Sequence, residues 1–331
     1  MKYLVLASNS FTGAHFVNHV LEHTQDQVIG VSRSPEYHPL LLPYLYRKER
    51  SNRFQFHQLN INTDTAKILE LIEREKPEYI IHFAAQGEVR NSWTWPADWY
   101  ETNVMSLVRL TSALVDKKFI KKYVMASTPE VYGATGENLV ESDRYHPSTP
   151  YAGSKLAGDL HLMTLHKRYG FPANFTRAAN LYGIHQQLYR IIPRTILYIK
   201  KNKTLELHGE GKSVRSFIHA RDVADATLKV ATSATSGEVY HVAPKGSGIS
   251  MFDLVQKICG LMKTDMNEHV RLIRENFGQD ALFSMSSEKI RSQLGWQDRI
   301  SLDDGIAEMI RWIDENWAEI KNFPDEYQHK V

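Results

Sequence analysis

Short apolar runs alternate with stretches of helical period over the first half of the chain. Runs at residues 3–7, 27–32, 54–59, 79–84, 122–126 and 173–176 predict strands, being short, rich in Val, Ile, Tyr and Phe, and bounded by polar residues. Segments 17–22, 65–73, 100–116 and 151–166 carry apolar residues at three- and four-residue spacing and predict helices. Strand and helix in alternation imply successive βαβ units, and so a parallel sheet covered on both faces. The predicted fold class is α/β, a doubly wound parallel sheet.

After residue 180 the rhythm loosens. Helices are predicted at 190–201, 220–231, 250–262, 286–293 and 301–316, with a short strand near 239–242. This half has no Gly-rich fingerprint of its own, and neither a low-complexity linker nor an internal repeat is visible. It reads as a smaller α/β lobe, residues 181–331, closing over a dinucleotide-binding domain at 1–180, to whose core later segments contribute further strands.

Composition adds limits. The 331 residues are 42% hydrophobic, enough for a packed core, and the net charge of +2 comes from scattered Lys, Arg, Asp and Glu. Nothing in that pattern suggests a nucleic-acid tract or a membrane patch. No apolar run approaches the ~20 residues of a membrane span. The run at residues 1–7 is too short for a signal peptide, so a cytoplasmic protein is expected. The single Cys259 excludes an intramolecular disulfide and sits among Leu254, Val255, Ile258 and Met262 as core filler. No metal site is expected.

Candidate chemistry begins at Ala7-Ser8-Asn9-Ser10-Phe11-Thr12-Gly13, where the first strand turns into the first helix. A Rossmann fingerprint places Gly at positions 7, 10 and 13, and only Gly13 is present. Ala7 and Ser10 remain small, and Asn9 tolerates a left-handed backbone. Free N–H groups at a helix start bind anions, so Ala7, Asn9, Ser10, Phe11, Thr12 and Gly13 are assigned to a dinucleotide. After the second strand, Ser32-Arg33-Ser34 replaces the usual acidic residue, and an Arg suits the 2′-phosphate of NADP; NAD remains the alternative. Asn60 and Ile61 can flank the adenine, or Asn60 can cap the next helix. Small Ala84 and Ala85, with Gln86, allow the dinucleotide to pass closely.

The segment Ser127-Thr128-Pro129-Glu130-Val131-Tyr132-Gly133 is followed by Tyr151-Ala152-Gly153-Ser154-Lys155. Residues four apart share one helix face, so Tyr151 and Lys155 can act together, with Thr128 and Glu130 delivered from a strand end. A phenol, an ammonium able to lower its pKa, and a carboxylate make an acid/base site.

With Asn180-Leu181-Tyr182-Gly183, Arg215-Ser216-Phe217-Ile218-His219, Asp222 and Leu294-Gly295-Trp296, these segments resemble the extended short-chain dehydrogenase/reductases. The match is similar above all to the nucleotide-sugar 4,6-dehydratases of the dTDP-glucose and GDP-mannose types, and spans residues 3 to 316. The resemblance implies that Tyr151 is the base for the sugar 4-hydroxyl, Lys155 holds the nicotinamide ribose, and Thr128 hydrogen-bonds the same hydroxyl. It implies transient oxidation at C4, removal of the C5 proton by Glu130, loss of water from C6 and return of the hydride there. Asn103 joins the cofactor set on the same basis. One departure stands out: the dTDP-glucose enzymes carry an Asp where this chain has Pro129, which has no proton to give. On this scaffold a 4-epimerase, a 5,6-dehydratase or a decarboxylase is the alternative, and a non-catalytic dinucleotide-binding regulator a further one.

The resemblance also implies a nucleotide-diphosphate sugar as partner. Arg215 matches the residue gripping the diphosphate, a task that suits the guanidinium fork. Asn180, Arg190 and Arg274, the last ahead of Phe277-Gly278-Gln279-Asp280, are further candidates. Glu88 and Ser92 fall where the sugar pocket is expected. Trp93, Trp95, Trp99 and Tyr100 precede the long helix that forms a four-helix dimer interface in that family, so these rings are read as packing and the protein as a homodimer.

Overall fold

A computed structural model describes residues 1–133, 138–274 and 282–329. Six strands of the first half form a parallel sheet: β1 (Lys2–Leu6), β2 (Gln27–Ser32), β3 (Phe54–Gln58), β4 (Tyr79–His82), β5 (Lys122–Ala126) and β6 (Ala173–Ala178). A seventh strand, Val239–Val242, returns from the second half to pair in parallel with β6. The order across the sheet is β3-β2-β1-β4-β5-β6 and then Val239–Val242. It reverses direction between β1 and β4, and such a switch point opens a crevice at the strands' C-terminal ends.

The period-two alternation of β1 builds both layers. Tyr3 and Val5 point into a core with Phe16, Val17 and Val20, whereas Leu4 and Leu6 point into another with Ile68, Leu71 and Leu107. Each fully buried Leu or Val contributes roughly 1.5–3 kcal/mol relative to exposure. A third core, around Tyr182, Ile196, Leu254, Ile306 and Trp312, joins helices of the second half. No helix among the described residues is long and apolar enough to cross a membrane.

The first helix, α1 (Phe11–His23), starts well before the apolar spacing of 17–22 because Ser10 caps it, accepting from Gly13 N at 3.1 Å. Next comes α2 (Thr65–Glu75). The single helix expected over 100–116 is instead α3 (Pro96–Tyr100), a π-helical turn at Glu101–Met105, and α4 (Ser106–Ser112). A residue is inserted into the i→i−4 ladder there, which spacing alone does not reveal. The predicted helix at 151–166 is α5 (Pro150–Tyr169), opened by the Thr149 cap and stopped by Gly170 at φ 69°.

In the second half, Ile191–Lys200, Ala220–Ser233, Met251–Leu261, Glu288–Leu294 and Leu302–Glu315 are helical, close to the predicted spans. Small strands went unpredicted, among them Asn180–Tyr182 with Phe217–His219 and Leu205–His208 with Val270–Ile273. Two to four residues carry too few alternating positions to register as a pattern.

Candidate active site

The turn after β1 has the geometry of a dinucleotide cradle. Ala7 takes φ 62°, the left-handed conformation that Gly normally supplies. A Cβ at Gly13 would lie 2.1 Å from the Ala7 carbonyl oxygen, so only glycine permits this approach of helix to strand. The first turn of α1 carries no acidic residue, leaving the positive end of the helix dipole free for an anion. Phe11 and Thr12 occupy that first turn. Asn9 is nearly buried and fastens this loop to the end of β2: its N–H donates to Ser32 Oγ at 3.1 Å, and its amide to Ser34 and Pro35 carbonyls. The residues therefore fit a dinucleotide, with Ser32 and Arg33 at the rim where its adenosine half belongs. Asn60 caps a turn, accepting from Asn62 N at 3.0 Å, while Asp64 takes the N-cap of α2; Ile61 is buried beside it.

Beyond β4, Ala84 and Ala85 stay small at the surface of the crevice and Gln86 is buried. Asn103, in the π turn, clamps Gln86 by both backbone groups at 2.9 and 3.0 Å. Its amide also donates to Ser154 Oγ at 2.9 Å. The π turn thus aims one side chain at both the β4 loop and α5. Asn103 is a positioning residue in this structure.

The acid/base group gathers at the end of β5. Thr128 caps a 3-10 turn, Pro129–Tyr132, its hydroxyl accepting from Glu130 N at 3.3 Å. Pro129 occupies the first position of that turn, where its missing N–H costs nothing. Burial, with the Glu130 carboxylate next, pushes the Tyr151 phenol well above its ordinary range; a hydrogen bond with Thr128 and the charge of Arg190 oppose this. Four residues on, Lys155 is buried and donates to Ala126 O at 2.8 Å. Burial brings its ammonium down to about 8 while Asp159 holds it up. Tyr151, Thr128, Glu130 and Arg190 are thus brought within electrostatic reach of one another. Thr128 and Arg190 act on the phenol in the same sense as the expected influence of Lys155.

Asp159, one turn beyond Lys155, escaped sequence reasoning. Ser127 Oγ donates to its carboxylate at 2.5 Å and Arg177 at 2.9 Å, with Asp159 and Arg177 both fully buried. Arg177 in turn lies over the Tyr132 and Tyr145 rings, 4.7 and 5.2 Å from their centroids. The signal in the sequence was the spacing Tyr151, Lys155, Asp159, three residues on one helix face. His82, at the end of β4, bonds Tyr123 and Ala84 O, and burial together with the Lys155 charge brings it to about 3.

Substrate candidates divide. Arg190 heads helix Ile191–Lys200 and stacks on Tyr189 at 5.2 Å. Asn180 pairs in register with Phe217, its N–H donating to Ser216 O at 3.0 Å, and Arg215 donates to Val214 O at 2.8 Å. Glu88 accepts from Asn91 N at 3.0 Å, and Ser92 is fully buried with its hydroxyl donated to Val89 O. Arg274 stands apart on the Leu205–His208/Val270–Ile273 sheet, 94% exposed and 3.5 Å from Glu210. The Phe277-Gly278-Gln279-Asp280 segment expected beside it lies outside the described residues.

Comparison with known proteins decides the family. The family model described as GDP-mannose 4,6 dehydratase matches residues 4–309. The chain belongs to the GDP-mannose 4,6-dehydratase family. Within it, the chain is 30% identical to the mouse dTDP-D-glucose 4,6-dehydratase over 97% of its own length and 91% of the relative's. It is 29% identical to the dTDP-glucose 4,6-dehydratase of Salmonella typhimurium, over 97% of this chain and 95% of that one. Its fold superimposes with a TM-score of 0.86 on the dTDP-glucose 4,6-dehydratase DesIV from Streptomyces venezuelae, solved with NAD bound. That structure is 28% identical and the match covers 96% of this chain and 98% of that one. A family member of this kind is an extended short-chain dehydrogenase/reductase, as its motifs implied.

Proposed function

We propose that Thr128, Glu130, Tyr151 and Lys155 are the catalytic groups of a nucleotide-diphosphosugar 4,6-dehydratase forming a 4-keto-6-deoxy sugar. The enzyme is an NAD(P)-dependent lyase, and the bound dinucleotide supplies the hydride acceptor and donor. Tyr151 takes the proton of the sugar 4-hydroxyl, which Thr128 hydrogen-bonds, and Lys155 holds the nicotinamide ribose. With C4 at the keto level the C5 proton is acidic; Glu130 removes it, and the C6 hydroxyl departs as water with a proton drawn from solvent. The product forms when C6 receives the hydride taken from C4 and C5 takes a proton from solvent. The observation that carries this reading is the packing of the Pro129–Tyr132 turn, which holds Glu130, against α5, which holds Tyr151 and Lys155. Inversion at C4 needs the tyrosine alone, whereas elimination needs a second base. Pro129 favours the 4-epimerase as the second reading, because it withholds the acid expected for the leaving hydroxyl.

Arg33 and Ser32 select NADP in this reading, although the DesIV structure holds NAD. In this reading Asn180, Arg190 and Arg215 grip the diphosphate and Glu88 reads the sugar, while buried Ser92, donating to Val89 O, braces the turn that carries Glu88, and exposed Arg274 meets only the outer part of the nucleotide. Residues 1–180 hold the dinucleotide and 181–331 the nucleotide sugar. Tyr100, Met105 and Leu160, each 43–44% exposed on α3 to α5, support a homodimer, which a 38.1 kDa species in gel filtration overturns. The lone buried Cys259 supports a cytoplasmic location, testable by fractionation.

The test is a panel of nucleotide sugars supplied to purified protein in deuterium oxide. The expected product is a 4-keto-6-deoxy sugar with deuterium at C5. A product keeping its 6-hydroxyl, inverted at C4 and free of C5 deuterium, establishes the epimerase instead.

A further inference from the structure

Among the described residues, 321–329 form no helix or strand, yet they are held at three successive points. Asp325 lies 3.4 Å from Lys201 and 3.1 Å from Lys203, just past the helix that Arg190 heads. Tyr327 packs edge-on against Tyr189, centroids 5.5 Å apart. His329 stacks nearly parallel on Trp95 at 4.6 Å and on Trp99 at 5.4 Å, and bonds Asp98 at 2.9 Å. The segment therefore runs from the second half of the chain to the α3 region of the first.

Tyr327 is half-buried; burial first, then Tyr189 and the Glu88 carboxylate, push its phenol up, and the charges of Arg33 and Arg190 oppose this. Glu88, Arg33 and Arg190 are the residues assigned above to the sugar, the cofactor phosphate and the diphosphate. Tyr327 packs on Tyr189, the same ring that Arg190 lies over at 5.2 Å, and an aromatic ring with a hydroxyl beside that cation offers a ligand an apolar face and a hydrogen bond. Trp95 also gains a role beyond helix packing: with 43% of its surface exposed, it is a landing site for His329.

We propose that Asp325–His329 is a strap across the substrate cleft, and that Tyr327 is a further substrate-binding residue in contact with the nucleotide sugar. The proposal rests on the nucleotide-sugar reading of the site. Its anchors are a partly exposed ion pair and ring stacking, each weak alone, so the strap can lift to admit substrate and settle over it.

Nucleoside diphosphates alone test it. Binding of dTDP, UDP and GDP to the full chain is measured by calorimetry for wild type, Tyr327→Ala, Tyr327→Phe and His329→Ala. We expect the preferred diphosphate to bind wild type, to weaken about tenfold with Tyr327→Ala and severalfold with His329→Ala, and to recover with Tyr327→Phe. Hydrogen exchange should show 325–329 protected on addition of that diphosphate. Wild-type binding with no change in the alanine variants and no protection overturns the strap alone. Wild type that binds none of the three overturns the nucleotide-sugar reading and the strap with it.

Discussion

The Asp159 carboxylate, one helical turn beyond Lys155, opposes the burial that brings the Lys155 ammonium down to about 8. A negative charge favours the protonated amine, so removing it moves the titration to lower pH. Asp159→Asn keeps an acceptor for Ser127 and Arg177 but loses the charge. The alkaline limb of the kcat profile should then begin below its wild-type position. Ser127→Ala, which leaves the Arg177 pair in place, should shift it less. Superimposable profiles for wild type and Asp159→Asn would show that Asp159 only packs. Because breaking one side of a buried ion pair costs ~3–5 kcal/mol, unfolding curves for each variant must accompany the kinetics.

Tyr151 and Glu130 should separate two halves of the reaction. Loss of a positioned acid or base costs about 10²–10⁴ in rate. Tyr151→Phe should stop both C4 oxidation and product formation. Glu130→Gln should stop elimination and C5 deuterium incorporation while leaving oxidation at C4 measurable by reduced-dinucleotide absorbance. Equal loss of both signals in Glu130→Gln would remove the C5 role.

The turn after β1 makes opposite predictions for two neighbours in space. A left-handed backbone costs an L-residue ~1–2 kcal/mol, and the extra unfolded-state freedom of glycine offsets ~0.4–1 kcal/mol of that. Ala7→Gly should therefore stabilise the protein by up to about 1.6 kcal/mol in urea unfolding. Gly13→Ala should destabilise by about 1–3 kcal/mol, since its Cβ meets the Ala7 carbonyl at 2.1 Å. Dinucleotide retention should fall in the same variant.

Acid should unfold the chain through its buried histidines. Burial brings His82 and His241 to about 3 and His185 to about 4, each from an ordinary 6.5. A depressed folded value means that the unfolded chain binds more protons between those limits, so stability falls as pH drops below 6.5 towards 3. Thermal midpoints measured from pH 7 to 4 should decline, and His82→Gln should decline less steeply. A midpoint flat over that interval would contradict the neutral state of these rings.

The proposed role of Arg33 predicts a choice between the two dinucleotides. Arg33→Ala should weaken NADP at least tenfold in fluorescence titration and leave NAD nearly unaffected. Wild type that prefers NAD, with no change in the variant, would place Arg33 outside the cofactor site.

Local order in the sequence determined much of this protein. Strand and helix alternation, the capped glycine turn at Gly13, and the Tyr151–Lys155 spacing all lie within short windows, where pleat, helix pitch and backbone sterics act directly. They were enough for the α/β class, the glycine turn after β1 and the placing of Tyr151 and Lys155 on one helix. Tertiary structure alone decided the partners that come from far along the chain. Arg177 reaches Asp159 only because β6 lies beside β5, and Val239–Val242 enters the sheet across more than half a hundred intervening residues. Asn103 clamps Gln86 because a π turn rotates it inward, and Tyr327 packs against Tyr189 because the last described segment folds back along the second half of the chain. No periodicity encodes such contacts: they depend on how loops close and layers pack, and those are settled by the whole chain at once.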